Sequence, residues 1–253
     1  MIRLTPEQVS AVAAWYQVER VCWLVGSHVI HTGHGAVWAD RWPAPRALLA
    51  EAAGQYALSG DPAALAPADL PPLAGFIEAP EPFVPLLRAA CADLFDTPRV
   101  ILSLPSAADL GAVRFAPAAA AVVRPLAAAD EPHLAGLSAA ADWVCNTWGG
   151  SAGLAASGRA WGAFVDGQLA SVAGTFFAGA QYEELAVATE PDFRRQGLNT
   201  ACAAALCRDI RARGRTPSWS TTTDNLPSRR VAEKLGFIQQ RTDWLYITGM
   251  VIS

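Results

Sequence analysis

Between Glu190 and Thr200 the chain reads Glu-Pro-Asp-Phe-Arg-Arg-Gln-Gly-Leu-Asn-Thr. A strand-like stretch over residues 181–187 precedes it. Apolar residues at helical spacing follow it: Leu198, Ala201, Cys202, Ala205 and Leu206. A strand, a basic turn containing Gly197 and a helix start, in that order, make an anion site. The turn offers successive backbone N–H groups. The helix adds roughly half a positive charge at the same point, and a residue without Cβ lets an anion approach the backbone. The pattern is neither a Walker loop nor G-x-G-x-x-G. On the preceding strand Glu183 and Glu184 are neighbours, so they point to opposite faces and one at most faces a bound substrate.

The charge distribution agrees with an anionic ligand at this end of the chain. Residues 190–241 hold ten of the 19 basic residues and five of the 23 acidic ones, a local balance of +5 against −9 for the remainder. The net charge of −4 disfavours a nucleic-acid partner bound over a basic surface. With 52% hydrophobic and 17% charged residues the chain is not disordered. No stretch reaches about 18 uncharged apolar residues, so no membrane partner is expected. The first apolar stretch is broken by Glu7, Glu19 and Arg20, which does not read as a secretory signal. Thr5-Pro6-Glu7-Gln8 instead reads as a capped helix start. The five cysteines are odd in number and form no C-x-x-C, so a reducing cytoplasm is expected and no disulfide framework or zinc site. His28, His31 and His34 are spaced by three but interrupted by glycines. They read as a strand end and loop, and no metal is expected.

Two groups of elements must position these residues. In the first half, residues 7–18 read as a helix, while 22–30 and 36–42 read as strands. Residues 46–58 read as a strand broken at Gly54, 81–94 as a helix and 99–104 as a strand. Trp23, Trp38 and Trp42 are expected to fill this core. Residues 105–117, rich in Ala, Pro and Ser, read as a linker. In the second half, 122–126 reads as a strand and 130–140 as a helix with Asp130 as its N-cap. Residues 159–165 and 168–177 form a hairpin around Asp166-Gly167. Then come a strand at 181–187, a helix at 198–213 stopped by Gly214, a strand at 218–221, a helix at 226–235 stopped by Gly236, and a strand at 237–247. The fold class is therefore α/β with a mixed sheet. The expected division is 1–117, a smaller N-terminal α/β domain, and 118–253.

Arg194-Arg195-Gln196-Gly197-Leu198-Asn199 resembles the R/Q-x-x-G-x-G/A signature of the GNAT superfamily of acyl-CoA-dependent N-acetyltransferases. Downstream, the run from Asn225 through Ser228 to Lys234-Leu235-Gly236-Phe237 resembles the family's second signature. The resemblance covers about the last half of the chain and implies a GNAT fold there. More faintly, residues 35–61 resemble a GNAT subgroup with an extra N-terminal α/β domain, which includes antibiotic-inactivating acetyltransferases.

The resemblance implies acetyl-CoA as cosubstrate and a small-molecule amine as acceptor. Pantetheine would pair with the backbone from Leu185 to Val187. The N–H groups of Arg195, Gln196, Gly197, Leu198, Asn199 and Thr200 would hold the pyrophosphate beside Arg194. Asn225 and Ser228 would lie near the thiol. An amine attacking a thioester must lose a proton; Glu184 is the first choice of base and Glu183 the second. Two positions depart from the family. The last signature residue is Asn199 rather than Gly or Ala. The usual Tyr general acid of the final helix falls on Ala232, which leaves Tyr246, Tyr182 or solvent to protonate the thiolate. Asp142, Asp166 and Asp243 are further carboxylates that would help attract a cationic acceptor, although the first job of Asp166 is the hairpin turn. Two other readings stand beside this one: a CoA-binding GNAT module without turnover, and a protein N-terminal acetyltransferase. Whether the first domain binds substrate, makes a homodimer or only packs is left open.

Overall fold

Thr5 opens the first helix as its neighbours dictate. Its Oγ1 accepts the Gln8 N–H, and Gln8 Oε1 accepts the Thr5 N–H, a reciprocal cap that satisfies two otherwise orphaned donors. The computed structural model describes residues 1–111 and 121–250. In chain order its elements are β1 (Ile2–Arg3), α1 (Pro6–Ala11), α2 (Val25–Thr32), β2 (Ala36–Ala39), β3 (Ala47–Ala52), β4 (Gln55–Gly60), β5 (Gly75–Glu78), α3 (Val84–Ala90) and β6 (Phe95–Ser103). There follow β7 (Val122–Pro125), α4 (Glu131–Ala135), α5 (Ser151–Ala156), β8 (Ala160–Val165), β9 (Gln168–Ala178), β10 (Tyr182–Thr189), α6 (Leu198–Ala212), β11 (Thr216–Thr222), α7 (Leu226–Lys234) and β12 (Ile238–Thr248).

All the strands join one mixed sheet in the order β1-β2-β3-β4-β5-β12-β6-β11-β10-β9-β8-β7. Only β4/β5 and β10/β11 pair in parallel. On one face of the second half, α6 buries Leu198, Cys202, Leu206 and Ile210 against Trp219 of β11 and Val100 and Leu102 of β6. Leu134, Val144, Trp148 and Leu154 cover the other face of β8 to β10. In the first half, α2 packs on β3 and reaches Phe177 of β9.

The strand β6 decides how the halves relate. It is hydrogen-bonded to β11 on one side, from Arg99↔Thr222 to Ser103↔Ser218, and to β12 on the other. In turn β12 pairs with β5. A cut after residue 117 would therefore separate β6 from both of its neighbours. The linker expected at 105–117 lies partly outside the described residues. Its described part is tied down: Leu110 is buried in the core, and Arg211 of α6 donates to the carbonyls of Pro105 and Ala108. The Glu19 carboxylate adds another tie, accepting the N–H groups of Ala180, Gln181 and Tyr182 at the β9–β10 turn.

Several local expectations are corrected. Residues 22–30 do not form a strand; most of them belong to α2. A short apolar run buried on all sides shows no clear period, and the readable sign was Gly33, which caps the helix at φ 73°. Residues 46–58 are not one strand but the hairpin β3/β4. It turns at Ala53 (φ 52°) and Gly54 (φ 74°), the paired left-handed conformations of a two-residue turn. The helix at 130–140 stops at Gly136. Asp130 does not cap it, because its carboxylate accepts from Arg124 and from the Ala127 N–H. Trp42 is on the surface.

His28 is a core residue of α2. Nδ1 accepts the Ala178 N–H at 3.1 Å and Nε2–H donates to the Thr147 carbonyl at 2.8 Å, so the ring is neutral. Burial lowers its pKa from 6.5 to about 4. Between those values the unfolded chain binds the proton and the folded chain does not, so stability is lost as pH falls through this window. At about 1.4 kcal/mol per pH unit the loss reaches roughly 3 kcal/mol. Denaturant melts at pH 7.5, 6 and 5 should show it. A His28→Leu variant should be weaker at neutral pH yet flatter below it; an unchanged slope would exclude His28 as the source.

Candidate active site

The strands β10 and β11 run side by side for three residues. Tyr182, Glu183 and Glu184 pair with Thr216, Pro217 and Ser218, whereas β10 continues to Thr189 and β11 to Thr222. On its other side β10 stays paired with β9 as far as Thr189↔Ser171. The register of that pair shifts between Glu184 and Leu185, where β9 advances two residues for one of β10. Such a bulge bends the strands, and it falls where β10 leaves β11. Beyond Glu184, the N–H and C=O groups that β10 turns toward β11 have no strand partner among the described residues.

The end of this splayed segment leads into α6. Within the connecting turn Arg195 (φ 64°) and Gly197 (φ 76°) are both left-handed, which turns successive N–H groups to one side. The first N–H groups of α6 have no intrahelical partner and no side-chain cap. A Cβ on Gly197 would meet nothing within 4 Å, so the space ahead of the helix is open. Arg194 and Arg195 are exposed beside it, Gln196 is half-buried, Leu198 is in the core and Thr200 is buried. The Oδ1 of Asn199 is buried without a partner.

On the sheet face opposite α6 lies a cavity of about 660 Å³. Its floor comes from alternate residues of neighbouring strands: Glu184 of β10, Ser220 of β11, Arg99 of β6, Leu245 of β12 and Glu78 of β5. Trp143, Asn146, Phe176 and Phe177 form one wall, with Trp143 edge-on to Phe176 at 5.8 Å.

Glu184 is 5% exposed, and its Oε1 accepts from Ser220 Oγ at 2.5 Å. Its Oε2 has no partner of ordinary hydrogen-bond geometry; the Cys22 thiol is a weak donor close by. Burial raises the carboxyl above the usual range, against the pull of Ser220 and Arg99. Glu78 is 4% exposed. Its Oε1 accepts from Arg99 at 2.7 Å, while Glu78 Oε2 and Arg99 Nε have no partner. Burial raises Glu78 to about 7; the Arg99 charge opposes the rise and Glu184 adds to it.

Glu183 goes to the other face. It is fully buried and accepts from Arg159, Arg213, Arg215 and Thr175. Burial pushes its carboxyl up, but those hydrogen bonds and charges outweigh it and hold it below the usual range. It is thereby a structural anion, on the face away from the cavity described above. Tyr246 is also turned away: it packs with Ile77, Phe83 and Leu87, while its neighbour Leu245 lines the cavity. Tyr182 packs against the first-half core. Asn225 lines the cavity and caps α7 by accepting the Ser228 N–H at 3.2 Å. Ser228 Oγ accepts from Trp219 Nε1 at 3.0 Å. Ala232 is fully buried in the core.

Glu78, Arg99 and Ser220 were not singled out in the sequence. The readable sign was Arg99 itself, a charge at the head of the apolar run Val100-Ile101-Leu102. Among the described residues no group of three or more His, Cys, Asp or Glu could hold a metal, and no helix is long and apolar enough to cross a membrane.

The model of the GNAT acetyltransferase family matches residues 124–246. An uncharacterized N-acetyltransferase in the mutA 5′ region of Streptomyces virginiae is 39% identical over 216 residues, which is 84% of this chain and 90% of that protein. A GCN5-related N-acetyltransferase-like protein from Streptococcus suis superposes with a TM-score of 0.73 at 20% identity, over 95% of this chain and 98% of that one. A tandem GNAT protein from the clavulanic acid biosynthesis pathway superposes with a TM-score of 0.58 at 14% identity, over 100% and 99% of the two chains.

Proposed function

The chain belongs to the GNAT acetyltransferase family and is an acyltransferase; from that premise we propose that it transfers an acetyl group from acetyl-CoA to an amine of a small molecule. The observation that carries this reading is the parting of β10 from β11 after Glu184, at the entrance to a helix start whose first N–H groups carry no side-chain cap. The amides of pantetheine match the unpaired backbone groups from Leu185 to Val187. The diphosphate matches the N–H groups of Arg195 to Thr200, with Arg194 beside them. Asn225 and Ser228 flank the arm. When bound, acetyl-CoA supplies an activated thioester on the β10 side of the cavity.

Glu184 accepts the proton of the attacking amine, directly or through a water. Ser220 holds one carboxylate oxygen and leaves the other free. A backbone N–H on the splayed strand near Val187 donates to the developing oxyanion, the kind of fixed dipole that stabilises such charge without reorganisation. The leaving thiolate takes its proton from solvent, because Ala232 is in the core and Tyr246 faces away. Both halves line the cavity, so the first half of the chain shapes the acceptor side, and a cavity of about 660 Å³ is of a size that suits a small molecule. The cysteines are free thiols, as suits a reducing cytoplasm.

Gly197→Glu tests the CoA site. The substitution forces a left-handed residue to carry a side chain and sends a carboxylate into the open space before α6. Acetyl-CoA affinity by calorimetry should fall by at least about 30-fold, or roughly 2 kcal/mol, through charge repulsion and lost approach. Affinity of the wild type should fall with added salt. An unchanged affinity would overturn this binding site.

A further inference from the structure

Two carboxylates from different halves of the chain, Glu78 and Glu184, flank a single guanidinium, Arg99, on the cavity floor. Each carboxylate is nine-tenths buried or more, and each keeps one oxygen without a partner of ordinary geometry. Arg99 is committed to Glu78 through one nitrogen at 2.7 Å, and its charge can balance one carboxylate only. With both carboxylates ionised the cavity lining carries one net negative charge; Arg241, the other cation that acts on Glu184, is itself paired with Asp243. A buried charge of that kind is relieved by a cationic partner or by taking a proton, and a bound ammonium supplies the partner. Among the described residues lining this cavity Arg99 is the only cation.

We infer that Glu78 and Glu184 together receive the ammonium of the acceptor, so that the site takes a primary amine of single positive charge on an apolar body, with no carboxylate beside the amine. The body lies against Trp143, Phe176 and Phe177, which give an apolar wall of aromatic faces and edges. An α-amino acid is disfavoured by charge: its carboxylate would meet two others, and the one guanidinium already pairs with Glu78. Glu78 binds the ammonium, and Glu184 is the partner that takes its proton as the amine turns into the nucleophile. The N–C bond then forms as the C–S bond breaks, the electron pair leaves on sulfur, the nitrogen sheds its second proton to water as it becomes the amide, and the sulfur takes a proton from water. The first half of the chain thereby contributes a binding residue to the site, rather than only a wall.

This rests on the acetyl-transfer reading, and the test keeps the two apart. Phenethylamine, phenylalanine and 2-phenylethanol share one apolar body and differ in charge. Calorimetry on the full-length wild type saturated with CoA should show phenethylamine binding at least about tenfold more tightly than either of the others. Glu78→Gln keeps the shape and an acceptor oxygen for Arg99. It should weaken phenethylamine about 10- to 100-fold, the range for losing a hydrogen bond to a charged group, while acetyl-CoA affinity stays as in the wild type. Glu78→Asp should recover part of the loss. If acetyl-CoA binds normally and phenethylamine binding is the same in Glu78→Gln, or phenylalanine binds as well as phenethylamine, the inference is wrong while the CoA reading survives. If acetyl-CoA fails to bind the wild type, the acetyl-transfer reading fails first. Should Glu78→Gln not fold, the comparison of the three probes on the wild type decides alone.

Discussion

Glu184→Gln is expected to lower kcat about 10²–10⁴-fold, the usual cost of removing a general base. The acetyl-CoA KM should hardly change, because the carboxylate faces the acceptor cavity and not the turn before α6. The pH dependence gives a sharper test. Burial raises the Glu184 carboxyl, so the acid limb of the wild-type rate should lie above the ordinary carboxylate range, with activity rising as the group deprotonates. The deficit of the variant should shrink as pH increases, since more of the amine is then neutral without help. A Glu184→Gln enzyme with normal kcat from pH 6 to 9 would remove Glu184 as the base. Glu183 would not inherit the role, because three arginines hold it on the opposite face. The amine would then lose its proton to solvent, and catalysis would rest on proximity and the oxyanion donor.

Removing residues 1–117 is expected to unfold the remainder rather than trim its specificity. The deletion takes β6 out from between β11 and β12. It also removes Val100, Ile101, Leu102 and Leu104, all of them buried. At about 1.5–3 kcal/mol for each buried aliphatic side chain, the loss is roughly 6–12 kcal/mol. That is comparable to the whole stability of an ordinary domain, about 5–15 kcal/mol. The fragment 118–253 should lack a cooperative thermal transition by circular dichroism and should not bind acetyl-CoA. Co-expression with 1–117 should restore both. A fragment that melts cooperatively and binds acetyl-CoA alone would show that the second half completes its own sheet.

Much of the second half was legible in order, because its signals are local. The Asp166-Gly167 turn demands positive φ, which both residues adopt, and it specified the β8/β9 hairpin. The apolar spacing from Leu198 to Leu206 specified the buried face of α6, and Gly197 and Gly214 bound the helix. The alternation of a strand sent Glu183 and Glu184 to opposite faces. The first half was less legible. Its helix α2 is buried almost all round and so shows no period that separates helix from strand, while the two-residue turn between β3 and β4 puts Ala53, a residue with no turn preference, at positive φ.

What the amino-acid sequence determined by itself was therefore the kind of elements in the second half, the glycine turn that opens α6 at Gly197 and the family to which the chain is similar. These depend on residues close together in the chain, whose backbone preferences and charges act at short range. Which of the two glutamates meets the cavity, the exclusion of Tyr246 from it, and the meeting of Glu78 with Arg99 and Glu184 were decided only by tertiary structure. Residues 78, 99 and 184 are brought together by the order of strands β5, β12, β6, β11 and β10. That order is a matter of long-range pairing, in which buried area and complementary charge across the whole sheet outweigh any preference a single segment carries.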